Sequence, residues 1–275
     1  MPERVPLDTA VLSHPGMVRT HNEDAVFVDA DAGVAVLADG MGGYNAGEVA
    51  SGIAVKVVSG GMVPELNSDR ELSKVDIATG LTHAALLLQQ KIAEANKGIY
   101  EVAQARPECA GMGTTLVSVV FCGNRVSIGH IGDSRCYRLR GEKLEQLTHD
   151  HSLLQEQIDG GQLTPEQARY SLNKNLVTRA LGIDPSVDTE VHVYEAQPDD
   201  IFLLCSDGLS DMVEDDEIRL TLVTLKTNPS LTVQQLVQAA NDNGGRDNIS
   251  AMLIRIAEPF GVPRGWLARF KALFR

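Results

Sequence analysis

Short apolar runs rich in β-branched residues recur along the chain at 25–28, 34–38, 115–121, 126–131, 136–139, 191–194, 201–205 and 249–256. Runs of that length, bounded by glycine, asparagine or aspartate, predict strands. Residues 29–33, 122–124 and 140–142 join neighbouring runs through compact, turn-forming sequences. Connections that short predict antiparallel hairpins, because a parallel pair needs a crossover of a dozen residues or more.

Two longer segments change the period from two to nearly four. From 46 to about 58, Val49, Ile53 and Val57 fall four apart and predict one apolar stripe on a helix. From about 75 to 105, Leu81, Ala84, Ala85, Leu88, Ile92, Ala95, Ile99 and Val102 repeat at helical spacing. A third helix is expected over 231–240, with Ser230 or Thr232 as its cap. Many antiparallel strands with a few long helices read as α+β, sheets stacked and helices outside. The pattern itself leaves one sandwich and two domains equally open.

Composition narrows the function classes. With 43% hydrophobic and 22% charged residues, the 275-residue chain can bury a substantial core. A net charge of −13 speaks against nucleic acid as a partner. Cys109, Cys122, Cys136 and Cys205 form no CxxC pair, so core packing in a reducing compartment is expected. No secretory signal and no uninterrupted apolar run of about 20 residues is found, which gives the cytoplasm as the expected location.

The chemistry resides in aspartates at strand ends. The run 34–38 ends in Asp39-Gly40-Met41-Gly42-Gly43, 126–131 in Gly132-Asp133-Ser134, and 201–205 in Ser206-Asp207-Gly208. Gly244-Gly245-Arg246-Asp247-Asn248 leads into the last run. A single Asp-Gly after a strand is ordinarily a turn. Four such ends in one chain point to carboxylate and carbonyl oxygens converging on a hard cation.

Six segments carry a resemblance. Arg19-Thr20-His21-Asn22-Glu23-Asp24, Ala38 to Gly43 with Ala46-Gly47-Glu48, and Gly113-Thr114-Thr115 come first. Gly129 to Arg135, Ser206-Asp207-Gly208-Leu209 and Gly245 to Asn248 follow in the same order. Together they resemble the signature blocks of bacterial PP2C-like (PPM) metal-dependent protein serine/threonine phosphatases. The resemblance spans roughly 8–257 and implies an α-β-β-α sandwich of two mainly antiparallel sheets flanked by helices.

It also implies a site holding two core Mn²⁺ or Mg²⁺ ions and a third, weaker one. Asp39 would bridge the core pair, with the Gly40 carbonyl and Glu23 on one ion and Asp207 and Asp247 on the other. Asp133 would serve the third ion, sharing Asp207, and Arg19 would bind the phosphate as a planar, two-toothed cation. Asn22, Asp24 and Asn248 would brace these ligands. The implied reaction is in-line attack on phosphoserine or phosphothreonine by a metal-bridging water or hydroxide, with no phosphoenzyme. Eukaryotic members carry a histidine where this chain has Met41, which cannot donate a proton. Among His14, His21, His130 and His149, none is assigned a catalytic role.

The implied partners are phosphorylated proteins, including a bacterial Ser/Thr kinase and its targets, met by a cytoplasmic signalling monomer. Residues 151–182 fall at the family's variable flap, inside a domain of 1–257. The tail 258–275 differs in charge: Arg264, Arg269, Lys271 and Arg275 give it +4 against −17 for the remainder of the total of −13. With Phe260, Trp266, Leu267, Phe270, Leu273 and Phe274 it reads as a basic amphipathic helix for weak membrane or partner contact, or for docking on the domain. Two rival readings remain at this level. One is a non-catalytic pseudophosphatase acting as a sensor. The other is a haloacid-dehalogenase-type enzyme using Asp29 in Val26-Phe27-Val28-Asp29-Ala30-Asp31-Ala32-Gly33, where Gly33 departs from the expected motif.

Overall fold

The strands expected from the apolar runs all form in the computed structural model, which describes residues 5–43, 46–68, 71–164, 167 and 176–257. They are β2 (Asp24–Asp29), β3 (Val34–Met41), β5 (Leu116–Cys122), β6 (Arg125–Ile131), β7 (Arg135–Arg140), β9 (Glu190–Glu195), β10 (Ile201–Cys205) and β11 (Ile249–Ile256). Three further strands are β1 (Leu7–His14), β4 (Gly113–Thr114) and β8 (Lys143–Gln146). β1 and β8 are edge strands with mixed exposure, so their sequences lack a buried strand's continuous apolar run.

One sheet runs β1-β11-β10-β7-β8 and the other β2-β3-β5-β6-β9, with β4 alongside β3. All these neighbours are antiparallel. The helices are α1 (Ala46–Leu66), α2 (His83–Ala105), α3 (Leu153–Asp159), α4 (Asp207–Ser210), α5 (Asp215–Leu225) and α6 (Pro229–Asp242).

Side-chain alternation divides the core into three layers. Val34, Val36 and Ala38 of β3 face α1 and α2, while Ala35 and Leu37 face the opposite sheet. Across that inter-sheet layer lie Phe202 and Leu204 of β10 and Met252 and Ile254 of β11. Their alternates Ile201, Leu203, Ala251 and Leu253 pack under α5 and α6. A strand buried on both faces is apolar at every position, which is why these runs stood out. The result is a four-layer α-β-β-α sandwich.

Several local expectations need correction. The α1 stripe is displaced by one residue: Ala46, Ala50, Ala54, Val58 and Met62 are buried, whereas Val49 is 38% exposed. Small alanines let α1 lie close to β3 and α2, a preference that large-residue spacing does not reveal. α1 is apolar and long enough to cross a bilayer, but it forms part of the core against the second sheet. α2 begins at His83 rather than near 75, because Asp76 Oδ1 accepts from Ala78 N and from the Thr79 N–H and hydroxyl. That turn diverts the backbone, and Thr82 then caps the helix at Ala85 N. The cap of α6 is Asn228, not Ser230 or Thr232; Thr232 donates back to the carbonyls of Asn228 and Leu225.

The segment 29–33 is a hairpin turn, with Gly33 N donating to Asp29 O and Ala32 N to Asp29 Oδ1. It closes the end of β2–β3 opposite Asp39, since Asp24 pairs with Asp39 and Asp29 with Val34. All four cysteines are free, and Cys109, Cys136 and Cys205 are buried. The tail 258–275 and most of 165–175 lie outside the described residues.

Candidate metal centre

Asp39 sits at the end of β3, directly across from Asp24 of β2. Its peptide is fixed from the neighbouring strand: Asp39 N donates to Thr115 Oγ1, while Thr115 N and Thr114 Oγ1 both donate to Asp39 O. Gly40 follows in a place where no side chain fits. A β-carbon there would stand 2.2 Å from the Gly47 carbonyl oxygen at the start of α1 and 2.6 Å from that of Glu23. Gly40 N donates to Glu23 O at 3.2 Å, so the Glu23 and Gly40 backbones run side by side.

The second group comes from the other sheet. Asp207 opens α4 immediately after β10, and its Oδ1 is buried without a hydrogen-bond partner. Asp247 precedes β11 and accepts from Asn248 N through Oδ1 and from Arg19 Nη2 through Oδ2, at 2.8 and 2.7 Å. The Asn248 side chain clips the chain from 15 to 23 onto this turn. Its Oδ1 accepts from Glu23 N, and its Nδ2 donates to the carbonyls of Pro15 and His21. Asp24 Oδ2 accepts from Ser206 and Ser250 hydroxyls, leaving Asp24 Oδ1 buried and unpartnered. Asp133 follows β6, 7% exposed, with the Arg135–Asp150 ion pair behind it.

These carboxylates burden one another. Burial first, then repulsion from Asp24, Asp207, Asp133 and Asp247, raises the Asp39 pKa well above the ordinary carboxylate range. Asp207 is raised likewise by burial and then by Asp133, Asp211, Asp247 and Asp24. Burial pushes Asp24 up to about 6, and burial with Asp150 beside it does the same to Asp133. Positive charge entering among such acids favours their ionised forms. Two orphaned carboxylate oxygens, an all-oxygen donor set and the Gly40 peptide fit hard divalent cations such as Mg²⁺ or Mn²⁺.

The sandwich therefore brings Arg19, Glu23, Asp39, Gly40, Asp133, Asp207 and Asp247 to one end of the two sheets. Among the described residues, His130, His151 and Glu190 offer three ligand atoms within 4.8 Å of one another, behind the Asp133 turn. His149 pairs with Asp159 and His14 Nδ1 accepts from Gly16 N. Sequence reasoning placed Asp24 only as a brace. Its pairing with Asp39 makes it a member of the acidic cluster, a relation that appears once β2 and β3 are in register.

A four-layer sandwich with an acidic cluster fitted to divalent cations is the arrangement that a metal-dependent phosphatase uses. The comparisons give the family: the protein phosphatase 2C profile matches residues 17–253. This chain belongs to the protein phosphatase 2C family. The serine/threonine phosphatase stp of Listeria innocua is 38% identical over 242 residues, covering 87% of this chain and 92% of the relative. The serine/threonine phosphatase PstP/Ppp of Mycobacterium tuberculosis superposes with a TM-score of 0.81 at 35% identity, over 92% of this chain and 99% of that one. A PstP catalytic domain in complex with two manganese ions matches at 0.79 and 34% identity, over 92% and 99% of the two chains.

Proposed function

We propose that this family member acts as a metal-dependent protein serine/threonine phosphatase, with Asp39 at the centre of its metal site. The observation that carries the reading is the convergence of Asp39, Asp207, Asp133 and Asp247, each from a different strand end, so that Asp39 feels the charge of the other three and Asp207 that of Asp133 and Asp247. Glu23 and the Gly40 carbonyl would hold one ion and Asp207 with Asp247 another, Asp39 serving both. Asp133 and Asp207 would hold a third. Bound there, divalent cations supply charge neutralisation and activation of water for displacement at phosphorus.

The chain's own residues do the remainder. Arg19 is half-exposed at the rim, its guanidinium on Asp247. Released from that carboxylate, it offers a flat pair of donors to two phosphoryl oxygens. The hydroxyls of Ser206 and Ser250 hold the Asp24 carboxylate, and Thr114 and Thr115 hold the Asp39 peptide, so the acids stay in place while phosphate enters. Met41, at the end of β3, has no proton to give the leaving group. The substrates in this reading are phosphoserine and phosphothreonine proteins, including the targets of a Ser/Thr kinase. The protein works as a cytoplasmic monomer, and its basic tail makes weak contact with a membrane or partner.

The test is phosphate release from a phosphothreonine peptide with Mn²⁺, with and without chelator, for the wild type and Asp39→Asn. Release that requires Mn²⁺ and disappears in the variant supports the proposal. Turnover that survives chelation refutes it.

A further inference from the structure

Behind the Asp133 turn lies a buried polar cluster that the reaction itself does not use. His130 and His151 stack with ring centroids 4.7 Å apart and planes 20° from parallel. They are 1% and 5% exposed, and Glu190 lies against them. A transition-metal site is the first reading, and the proton positions oppose it. His151 Nδ1 accepts the Gly132 N–H at 3.1 Å, so the neutral ring carries its own proton on Nε2. That proton points to Glu190 Oε1 at 3.1 Å. A metal on Nε2 would force the proton onto Nδ1, against the Gly132 N–H. Glu190 also has Arg179 at 3.5 Å and His192 at 3.7 Å, surroundings that favour no further cation.

The cluster instead clamps one peptide. His151 holds Gly132 from both sides: its backbone N donates to Gly132 O at 2.9 Å, and its ring accepts from Gly132 N. Gly132 has φ of +100°, and a β-carbon there would stand 2.7 Å from Thr115 Cβ, so no other residue takes its place. The next residue is Asp133. Beyond it, Ser134 Oγ meets Thr115 Oγ1 at 2.7 Å, the same threonine that holds Asp39.

We propose that His151, oriented by Glu190, is a positioning residue that sets the Asp133 carboxylate for its divalent cation by clamping the Gly132 peptide. This rests on the reading of Asp133 as a metal ligand. His151 also joins the turn to the chain returning at the end of 151–182. Its carbonyl accepts from Thr178 N at 2.8 Å, and Ser152 bridges Val177. The returning segment and the Asp133 turn thus share His151 as a common hydrogen-bond partner.

Asparagine and glutamine separate the two halves of the ring. Asn Oδ1 lies where Nδ1 lies and can accept from Gly132, whereas a Gln amide reaches Glu190 and offers Gly132 nothing. Mn²⁺ binding is measured by calorimetry, with melting temperature as the check on folding. We expect His151→Gln to weaken the weakest Mn²⁺ site about tenfold or more, His151→Asn to retain it within about threefold, and half-exposed Glu190→Ala to fall between. The stronger sites should bind alike in all three. Wild-type Mn²⁺ affinity in His151→Gln or Glu190→Ala overturns the proposal, as does equal loss in the Asn and Gln variants alongside equal melting shifts. Should the wild type bind no Mn²⁺ at all, the metal centre itself is wrong, an outcome distinct from either.

Discussion

The acids of the cleft are arranged for function at the expense of stability. Asp39 is surrounded by Asp24, Asp207, Asp133 and Asp247, and its pKa is raised by burial before any of them acts. Replacing it with asparagine keeps the shape and removes a charge the fold resists. Asp39→Asn should thus melt higher than the wild type in chelator, by about 2–4 °C for each kcal/mol relieved. The same variant should lose about 10²–10³-fold or more in kcat/KM with Mn²⁺, since several kcal/mol of charge stabilisation go with the ligand. A lower melting point in chelator would show that Asp39 is held by partners rather than strained by neighbours.

A pH dependence follows from Asp24 and Asp133, both raised from 3.8 to about 6. In the metal-free protein their contribution is complete below pH 4 and is lost as pH rises through 6, because the unfolded chain releases those protons first. Cation binding needs the deprotonated forms, so it gains over the same interval. The rise in melting temperature caused by Mn²⁺ should be clearly larger at pH 7.5 than at pH 5. An equal rise at both would remove these two acids from the linkage.

At the scale of elements, strand ends hold the site, and glycines let them approach. A β-carbon on Gly208 would stand 2.0 Å from the Asn248 carbonyl oxygen, where α4 meets the start of β11. Gly208→Ala should push Asp207 and Asp247 apart, lowering stability by about 1–3 kcal/mol and weakening Mn²⁺ binding. Calorimetry with a melting curve reads both. The central strands were legible because burial on two faces makes them continuously apolar, as in 34–38 of β3 and the whole of β10. Edge strands β1 and β8 and the short α4 carry no such signal. The α1 face lies one residue off the expected stripe because its deepest contacts are made by Ala50 and Ala54, while Ile53 and Val57 pack at its margin. The candidate ligand aspartates are legible as strand-end acids beside glycine or asparagine, Asp39-Gly40 and Asp207-Gly208 among them. Thr115 and His151, which hold their neighbours across 76 and 19 residues of separation, are encoded by no local pattern, and Asn248, 225 residues from Glu23, is marked as a brace only by the family resemblance.

At the scale of the molecule, the inter-sheet layer is the keystone. Phe121 and Phe202 meet edge to face from opposite sheets, ring centroids 5.3 Å apart. Phe202→Ala should lower stability by about 3–5 kcal/mol, read as a melting temperature lower by roughly 6–20 °C. Cutting the chain after Ala257 should leave kcat/KM on a short phosphopeptide within about twofold, because β11 already closes the first sheet at Ile256. A larger drop would place the tail in the chemistry.

β1 and β11 lie side by side along their whole length, from His14 opposite Ile249 to Leu7 opposite Ile256. The first of these pairs is beside the aspartates and the second is at the far pole, about 23 Å away along an extended strand. The described chain therefore reaches Ala257 at that far pole, where Ala257 N donates to Pro6 O. The paired strands thus set the acidic end of the sandwich and Ala257 at opposite poles, a full strand length apart.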